Sequence, residues 1–189
     1  MFADRPLPIT QVFIAAGNEQ MLAANGAVRN ATLWATPIER FVLPCRTLAG
    51  APFGREAVPH DASTFAQVLA ESHASEELAL DFDASWVSER MVRSVRDYSW
   101  RNATLAEGAV LGVWDSGLSI VRTGASGTTE TRTATAVDWG FAPGAEDEMV
   151  ALLRSACATL TTGGVEDLIV FSSPQSRGRD LLAGLARTV

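Results

Sequence analysis

Residues 131–173 constrain the fold more than any other part of this chain, because the spacing of their apolar residues changes twice. Residues 131–141 alternate in polarity and are rich in β-branched and aromatic side chains, which predicts a strand. After a turn at 142–144, apolar residues recur at helical spacing over 145–161, which predicts a helix with one apolar face. Residues 165–173 form a short apolar run that predicts a buried strand.

The rest of the chain carries further strand and helix patterns. Strands are expected at 9–15, 28–35, 38–45, 55–58, 109–114 and 118–123, and helices at 18–24, 65–72, 83–97 and 176–186. The turn-rich segment 124–127 is expected to join its flanking strands into an antiparallel hairpin. This order predicts an α+β, three-layer fold with a mixed, mostly antiparallel sheet flanked by helices.

One segment, 47–54, has a linker-like composition that is rich in Gly, Ala and Pro. It divides the chain into a piece of residues 1–46 and a body of residues 55–189. The first piece is too short to bury a core of its own. We therefore expect its strands to pair with the larger body or with another copy of the chain.

Charge and composition argue against several classes of function. The formal net charge of −7 and the isoelectric point near 4.8 disfavour a nucleic-acid partner, because affinity for phosphates needs a basic surface. No apolar run approaches the ~20 residues of a membrane span, and the first residues lack the layout of a signal peptide. Cys45 and Cys157 are expected to be reduced, buried thiols of a cytoplasmic protein. All fifteen basic residues are arginine, which favours a bacterial genome of high GC content.

The segment Arg55-Glu-Ala-Val-Pro-His-Asp-Ala62 has the form Arg-x-Ala-x-x-x-Asp-Ala at a predicted strand and helix start. Together with the element order over residues 55–186, it resembles the GNAT superfamily of N-acetyltransferases. The resemblance implies that residues 137–141 belong to the central strand that meets the pantetheine arm of acyl-CoA. It also implies that the helix 145–161 receives the pyrophosphate at its N-terminus, where backbone N–H groups favour an anion.

The N-terminal piece resembles the closing part of a second such unit. Residues 18–26 are similar to the family's late helix, and residues 28–45 would be its last two strands. On this resemblance, the larger body is expected to lack a closing pair of this kind. Two arrangements remain open: a fragment of a tandem protein, or a permuted domain in which the N-terminal strands complete the C-terminal body.

The resemblance implies acetyl-CoA as the acyl donor. On this interpretation the cofactor contacts are made around the end of the central strand and the turn after it. The residues that match these positions are Trp139, Gly140, Phe141, Gly144 and Ala145.

The turn itself departs from the family's Gly-rich phosphate loop. It is shorter, it lacks the leading Arg or Gln, and Pro143 removes one backbone donor. Glu146, Asp147 and Glu148 follow in the first helical turn, where each acid is favoured by the helix dipole by ~0.3–1 kcal/mol. The same acids repel a pyrophosphate by ~1 to ~4 kcal/mol per pair at ~4 Å, depending on the local dielectric. A working acyl-CoA site and an ordinary acidic helix start both remain open.

Acyl transfer to an amine needs a base that takes a proton from the amine. Asp138 and Glu107 lie on predicted strands of the relevant region and are the candidate catalytic residues. For each of them the competing interpretation is a solvated acid at a strand edge. Tyr98, the one tyrosine, lies outside the position at which the family places its acid.

Two other patterns could bind ions. His60 and His73 are too isolated in sequence for a metal site, so no metal is expected. Arg90, Arg93 and Arg96 recur every three residues and could hold an anion, although a solvated helix face is the favoured interpretation.

Three functions follow from these observations. The first is a GNAT-type N-acetyltransferase that transfers an acyl group from acetyl-CoA to a small-molecule or peptide amine. The alternative is a non-catalytic GNAT-like module with a degenerate acyl-CoA site, which docks on or supports a neighbouring domain. A homodimer or a neighbouring GNAT domain is the expected protein partner. A small-ligand-binding α+β domain unrelated to this family is the third.

Overall fold

The computed structural model describes residues 38–76, 82–93, 98–124 and 127–186, without the side chains of Arg93 and Arg122. The chain divides into two compact units, Met1–Thr36 and Pro37–Val189, and the described residues all belong to the second. The strands and helix expected within residues 9–35 therefore lie outside the described part of the chain.

Seven strands and five α-helices follow one another through the described ranges. The strands are Glu39–Pro44 (β1), Arg55–Glu56 (β2), Ala103–Leu105 (β3), Ala109–Trp114 (β4), Ser119–Gly124 (β5), Gly127–Phe141 (β6) and Asp167–Ser172 (β7). The α-helices are Cys45–Leu48 (α1), Ala62–His73 (α2), Ala84–Arg93 (α3), Glu146–Thr162 (α4) and Arg179–Leu185 (α5). Short 3-10 turns occupy Pro59–Asp61 and Trp100–Asn102.

The main sheet has the strand order β1-β7-β6-β4-β3-β2, and β5 pairs with the outer half of β6. Only β6 and β7 run parallel, whereas the other described neighbours are antiparallel. Helices pack on both faces. The predicted mixed, mostly antiparallel sheet flanked by helices is therefore confirmed, as is the hairpin of β5 and β6. Among the described helices, none is both long and apolar enough to cross a membrane.

Strand β1 pairs antiparallel with β7, from Glu39 opposite Ser172 to Pro44 opposite Asp167. This strand comes from the N-terminal side of the expected linker, yet it lies in the same sheet as the body. The segment 47–54 begins inside helix α1, which the backbone bond from Cys45 N to the Glu166 carbonyl ties to the start of β7 at 2.8 Å.

Two buried apolar clusters lie on opposite faces of the sheet. Helices α4 and α5 cover the first cluster, which we call the α4 side, and helices α2 and α3 cover the second, the α2–α3 side. Neighbouring residues of β4 alternate between them, with Val110 on the α2–α3 side and Leu111 on the α4 side. The predicted helix faces are buried as expected, including Phe65 and Leu69 on α2 and Met149 on α4.

A β-bulge interrupts this alternation in β6. Asp138 lies opposite Gly112 and Ala136 lies opposite Val113, so Val137 is an extra residue in β6. The extra residue reverses the faces of the residues that follow, because side chains alternate with a period of two. Trp139 thus joins the α4 side together with Ala136, three residues before it.

The same bulge coincides with a separation of β6 from β7. Their parallel pairing runs from Thr133 opposite Asp167 to Ala136 opposite Val170 and ends there. Beyond this point β6 continues along β4, whereas β7 continues along β1. A bulge bends the strand that carries it, which explains why the two strands part. We call the space between residues 137–141 and residues 171–172 the β6–β7 gap.

Candidate functional site

The indole of Trp139 lies across the β6–β7 gap. Its Nε1–H donates to the backbone carbonyl of Phe171 on β7 at 3.2 Å, and the residue is 5% exposed. The loop before α5 lies against the ring. A Cβ atom built on Gly178 would approach the indole Cζ3 to 2.5 Å, so only glycine fits at this contact. The side chain therefore closes the gap that the bulge opens.

His73, at the C-terminal end of α2, contacts the same residue from the other face of the sheet. Its Nε2 lies 2.9 Å from the carbonyl oxygen of Trp139, and its Nδ1 lies 2.5 Å from Glu76 Oε1. The imidazole and indole rings meet edge to face, with their centroids 5.8 Å apart. A ring from the α2–α3 side can reach an indole of the α4 side because the strands part here.

Asp138, the neighbour of Trp139 in the chain, is buried on the α2–α3 side at 6% exposure. The Nε of Arg90 donates to both of its oxygens, at 2.9 and 3.1 Å, and the hydroxyl of Tyr98 donates to Oδ2. Gly112 permits this contact, since a Cβ atom there would collide with the Tyr98 hydroxyl. The predicted catalytic carboxylate is therefore already bound by two donors.

The negative charge of Asp138 raises the pKa of both of its donors, Tyr98 and Arg90. Burial raises the pKa of the Tyr98 hydroxyl, and the nearby charge of Asp138 raises it further. Burial alone would lower the pKa of Arg90, but the charge of Asp138 outweighs it, and the net pKa is raised. The guanidinium also lies 5.3 Å from the ring centre of Trp86 and 5.7 Å from that of Tyr98, within the range of a cation–π interaction.

The interpretation of Arg90 as part of a solvated face is corrected by these contacts. Its side chain is 38% exposed and pairs with a carboxylate on the central strand. The spacing in α3 could not reveal this pairing, because the partner lies 48 residues away in sequence. The side chain of Arg93 and all of Arg96 lie outside the described part of the chain.

Ser72 is a further buried polar residue, located on α2. It is 1% exposed, and within the described ranges its hydroxyl has no hydrogen-bond partner. It lies against Gly140, where a Cβ atom would come within 3.0 Å of the Ser72 Oγ. Gly140 is one of the predicted cofactor contacts and faces the α2–α3 side.

The other predicted cofactor residues have different environments. Phe141 is fully buried on the α4 side, and Ala145 is buried immediately before α4. Gly144 is exposed in the turn and has a φ of +86°, a conformation that favours glycine. The structure thus brings Trp139 and Gly140 to the gap, and Gly144 and Ala145 to the start of α4.

The start of α4 is acidic, as the sequence predicts. Glu146 and Asp147 are exposed in the first turn. Glu148 has a structural contact, because its Oε2 accepts the backbone N–H of Gly108 at 2.8 Å. No arginine occurs between Phe141 and Met149 to offset these charges.

Glu107, the second candidate base, is not on a strand. It is exposed in the tight turn between β3 and β4, which the bond from Ala106 N to the Ala109 carbonyl closes at 2.9 Å. Gly112, which lies opposite Asp138, is five residues further along β4. Ala109 and Gly112 alone are about 10 Å apart at about 3.3 Å per residue, and Glu107 lies beyond Ala109, so the structure does not bring it to Asp138.

The Arg55 and Asp61 of the Arg-x-Ala-x-x-x-Asp-Ala motif form a two-point ion pair. Both guanidinium nitrogens lie 2.7 Å from a carboxylate oxygen, and the Val58 N–H donates to the same carboxylate at 3.1 Å. The hydrogen bond from Arg55, together with the Val58 N–H, lowers the pKa of Asp61 to about 2 although burial opposes this. The motif therefore fixes β2 against the start of α2.

Comparison with known proteins gives no identity. No protein-family model matches the chain, and no curated protein matches its sequence. Within the described ranges, no three His, Cys, Asp or Glu side chains are grouped so that they could hold a metal ion. The residues at the β6–β7 gap are therefore the features of the molecule that bear on its function.

Proposed function

We propose that this chain is a non-catalytic GNAT-like module whose acyl-CoA site is closed by its own side chains. One observation carries the proposal: the indole of Trp139 lies across the β6–β7 gap, where the family resemblance implies the pantetheine arm. A docking or supporting role beside a neighbouring domain goes with it. The support for that role is β1, which comes from the part of the chain that resembles the end of a preceding unit and joins this sheet.

Opening the gap has a large free-energy cost. A tryptophan buries ~150–250 Å², and at about 25 cal/mol per Å² its exposure costs about 4–6 kcal/mol. The bond to the Phe171 carbonyl adds about 0.5–1.5 kcal/mol. A ligand of micromolar affinity gains only about 8 kcal/mol in total. If the pantetheine arm of acyl-CoA had to displace Trp139 from the gap, the ligand would therefore lose most of its binding free energy.

The start of α4 opposes the anionic end of the same cofactor. The helix dipole attracts a phosphate by ~0.3–1 kcal/mol, whereas each exposed acid at ~4 Å repels it by at least ~1 kcal/mol. Glu146 and Asp147 both lie in this first turn. Their combined repulsion exceeds the attraction of the dipole.

Asp138, the candidate base, already has hydrogen-bond partners. Asp138 accepts hydrogen bonds from Arg90 and Tyr98, so its carboxylate is already engaged by two donors. The exposed Glu107 lies beyond Ala109, the residue that pairs with Phe141 at the end of β6. Neither carboxylate is arranged to take a proton from an amine at the gap.

The proposal includes a cytoplasmic location for the protein. Cys45 and Cys157 are buried, free thiols on the α4 side. Free buried thiols are typical of a reducing compartment. No nucleic-acid or metal partner is proposed.

Titration of the full chain with acetyl-CoA, followed by calorimetry and by thermal unfolding, tests the proposal. A ligand at ~100 times its dissociation constant stabilises its protein by ~2.7 kcal/mol; we expect no such shift. The double variant Glu146→Gln with Asp147→Asn should strengthen any residual binding. The matched control, Glu130→Gln with Glu166→Gln, removes the same charge at exposed positions elsewhere and should change nothing. Micromolar affinity in the unmodified chain would overturn the proposal.

A catalytic N-acetyltransferase is the second candidate. The separation of β6 and β7 favours it, since strands rarely give up pairing without a reason, as does the buried Ser72 hydroxyl next to Gly140. This candidate requires Trp139 to leave the gap when acetyl-CoA binds. Release of free CoA in the presence of an amine, at a rate that Asp138→Asn lowers, would select it over the first.

A further inference from the structure

The contacts of His73 fix its protonation. The Nε2 faces the backbone carbonyl of Trp139 at 2.9 Å, and a carbonyl oxygen only accepts hydrogen bonds. The Nδ1 faces the carboxylate of Glu76 at 2.5 Å, and an ionised carboxylate likewise only accepts. A neutral imidazole carries one N–H and could satisfy only one of these neighbours. Both contacts form together when the ring carries two protons.

We propose that His73 is a pH-responsive positioning residue, which ties the backbone of Trp139 to the end of α2 when protonated and gives up that contact when neutral. We call His73, its contact with Glu76 and its contact with the Trp139 carbonyl the His73 bridge. The bridge joins the end of α2 to β6 at the residue whose indole closes the gap. The carboxylate of Glu76 stabilises the proton on Nδ1, at 2.5 Å, so the proton that is lost is the one on Nε2. The Nε2 lone pair then faces the Trp139 carbonyl oxygen, which only accepts hydrogen bonds, and this contact of the bridge opens.

The charged groups around the ring favour its protonated form. Burial, the largest single influence, lowers the pKa of His73, but the hydrogen bonds to Glu76 and to the Trp139 carbonyl and the charges of Glu76 and Asp138 outweigh it. The net pKa is raised above its ordinary value of about 6.5. Arg90, from α3, is paired with Asp138 and so offsets part of that negative charge. Phe82, before α3, contributes an uncharged ring 5.7 Å from the imidazole.

The raised pKa of His73 determines the direction of the pH effect. A group with a raised pKa in the folded state stabilises it fully below its unfolded pKa, and this stabilisation is lost as the pH rises through the folded value. The His73 bridge is therefore complete below about pH 6.5 and opens above the raised pKa. The inference concerns the position of Trp139 and does not depend on whether the gap ever held acyl-CoA.

Fluorine NMR of the full chain labelled with 5-fluorotryptophan can observe this change directly. The sequence has five tryptophans, and the Trp139→Phe variant identifies the signal of Trp139 by its loss. We expect this signal to move or broaden as the pH rises from 6 to 9. Its midpoint should coincide with that of the His73 imidazole, followed in parallel by nitrogen NMR.

Two variants separate the His73 bridge from a general effect of pH. His73→Gln keeps one donor toward the carbonyl but cannot titrate, so the Trp139 signal should lose its pH dependence. Glu76→Gln removes the charge that stabilises the imidazolium, so the midpoint should move to lower pH. Glu71→Gln is the matched control, because Glu71 is an exposed acid on α2 whose described bond is to Gln67; it should leave the midpoint unchanged.

Specific results would overturn the proposal. One is a Trp139 signal that titrates in His73→Gln as it does in the unmodified chain. Another is an imidazole that carries a single proton at pH 6. If His73→Gln fails to fold, Glu76→Gln still decides the matter, because an unshifted midpoint in that variant excludes the His73 bridge. Acetyl-CoA binding plays no part in these measurements, so their failure is distinct from failure of the proposed function.

Discussion

The two faces of the central strand β6 differ in the chemistry that they bury. On the α4 side, apolar side chains pack around the thiols of Cys45 and Cys157, and the buried carboxylate of Asp167 lies near Cys45. On the α2–α3 side, a cluster of similar kind surrounds the carboxylate of Asp138 and its two donors, Arg90 and Tyr98. The bulge at Val137 marks the point at which residues exchange between these environments.

Apolar packing and a buried polar network contribute to a fold in different ways. Apolar packing is non-directional and tolerates changes of shape when volume is kept. A buried polar network has fixed partners and is costly when only one of them is lost. We therefore expect the α4 side to dominate the free energy of unfolding, and the α2–α3 side to determine where Trp139 and His73 lie.

The largest effect should come from the α4 side. Phe141→Ala removes a ring that is fully buried and leaves a cavity, which typically costs about 3–5 kcal/mol. Urea unfolding at neutral pH measures this loss of stability. Val92→Ala, at an α3 position that is 74% exposed, serves as the control and should change stability by less than about 0.5 kcal/mol. A Phe141→Ala protein as stable as this control would contradict the expectation that the α4 side dominates the free energy of unfolding.

A smaller effect is expected from the polar cluster. Asp138→Asn leaves Arg90 and Tyr98 facing a neutral amide, and an imperfectly satisfied buried group costs about 1–3 kcal/mol. Urea unfolding of Asp138→Asn, of Tyr98→Phe and of the double variant gives the coupling between the two residues, expected at about 0.5–3 kcal/mol.

Asp115→Asn is the matched control for this cycle. It breaks the ion pair with Arg132, at 2.8 Å, in which both side chains are about one-third exposed. Pairs near the surface contribute about 0–1 kcal/mol, so this variant should lose less stability than Asp138→Asn. Equal losses would mean that burial adds nothing to the polar cluster.

The sequence predicts the α4 side well because its information is local. The helical spacing of Met149, Leu152 and Leu153 specifies an apolar face, and these residues are buried as expected. The alternation of 131–141 likewise predicts β6. Both patterns lie within one element, where periodicity alone relates sequence to structure.

The α2–α3 side could not be predicted in the same way. Its contacts join Asp138 to residues 48 and 40 positions away, Arg90 and Tyr98, and no spacing within one element encodes them. The bulge adds a second difficulty. Strict alternation from Ala136 would place Trp139 on the α2–α3 side, and the extra residue Val137 places it on the α4 side. A one-residue shift of this kind reverses every later side chain.

The smallest expected effect tests the Arg55–Asp61 ion pair at the edge of the α2–α3 side. The pKa of Asp61 is lowered to about 2, so its charged form stabilises the folded state above the unfolded pKa of about 3.9. This contribution is lost as the pH falls toward 2. Asp61→Asn should therefore be less stable than the unmodified chain at pH 5 to 7, and the difference should shrink on acidification, because protonation then removes the charge in the unmodified chain as well. Thermal unfolding between pH 2 and 7 measures both curves.

Asp180→Asn, whose side chain is 90% exposed, controls for loss of a surface charge and should follow the unmodified chain. A constant difference across the whole pH range would mean that Asp61 acts through its shape and hydrogen bonds, and not through its charge.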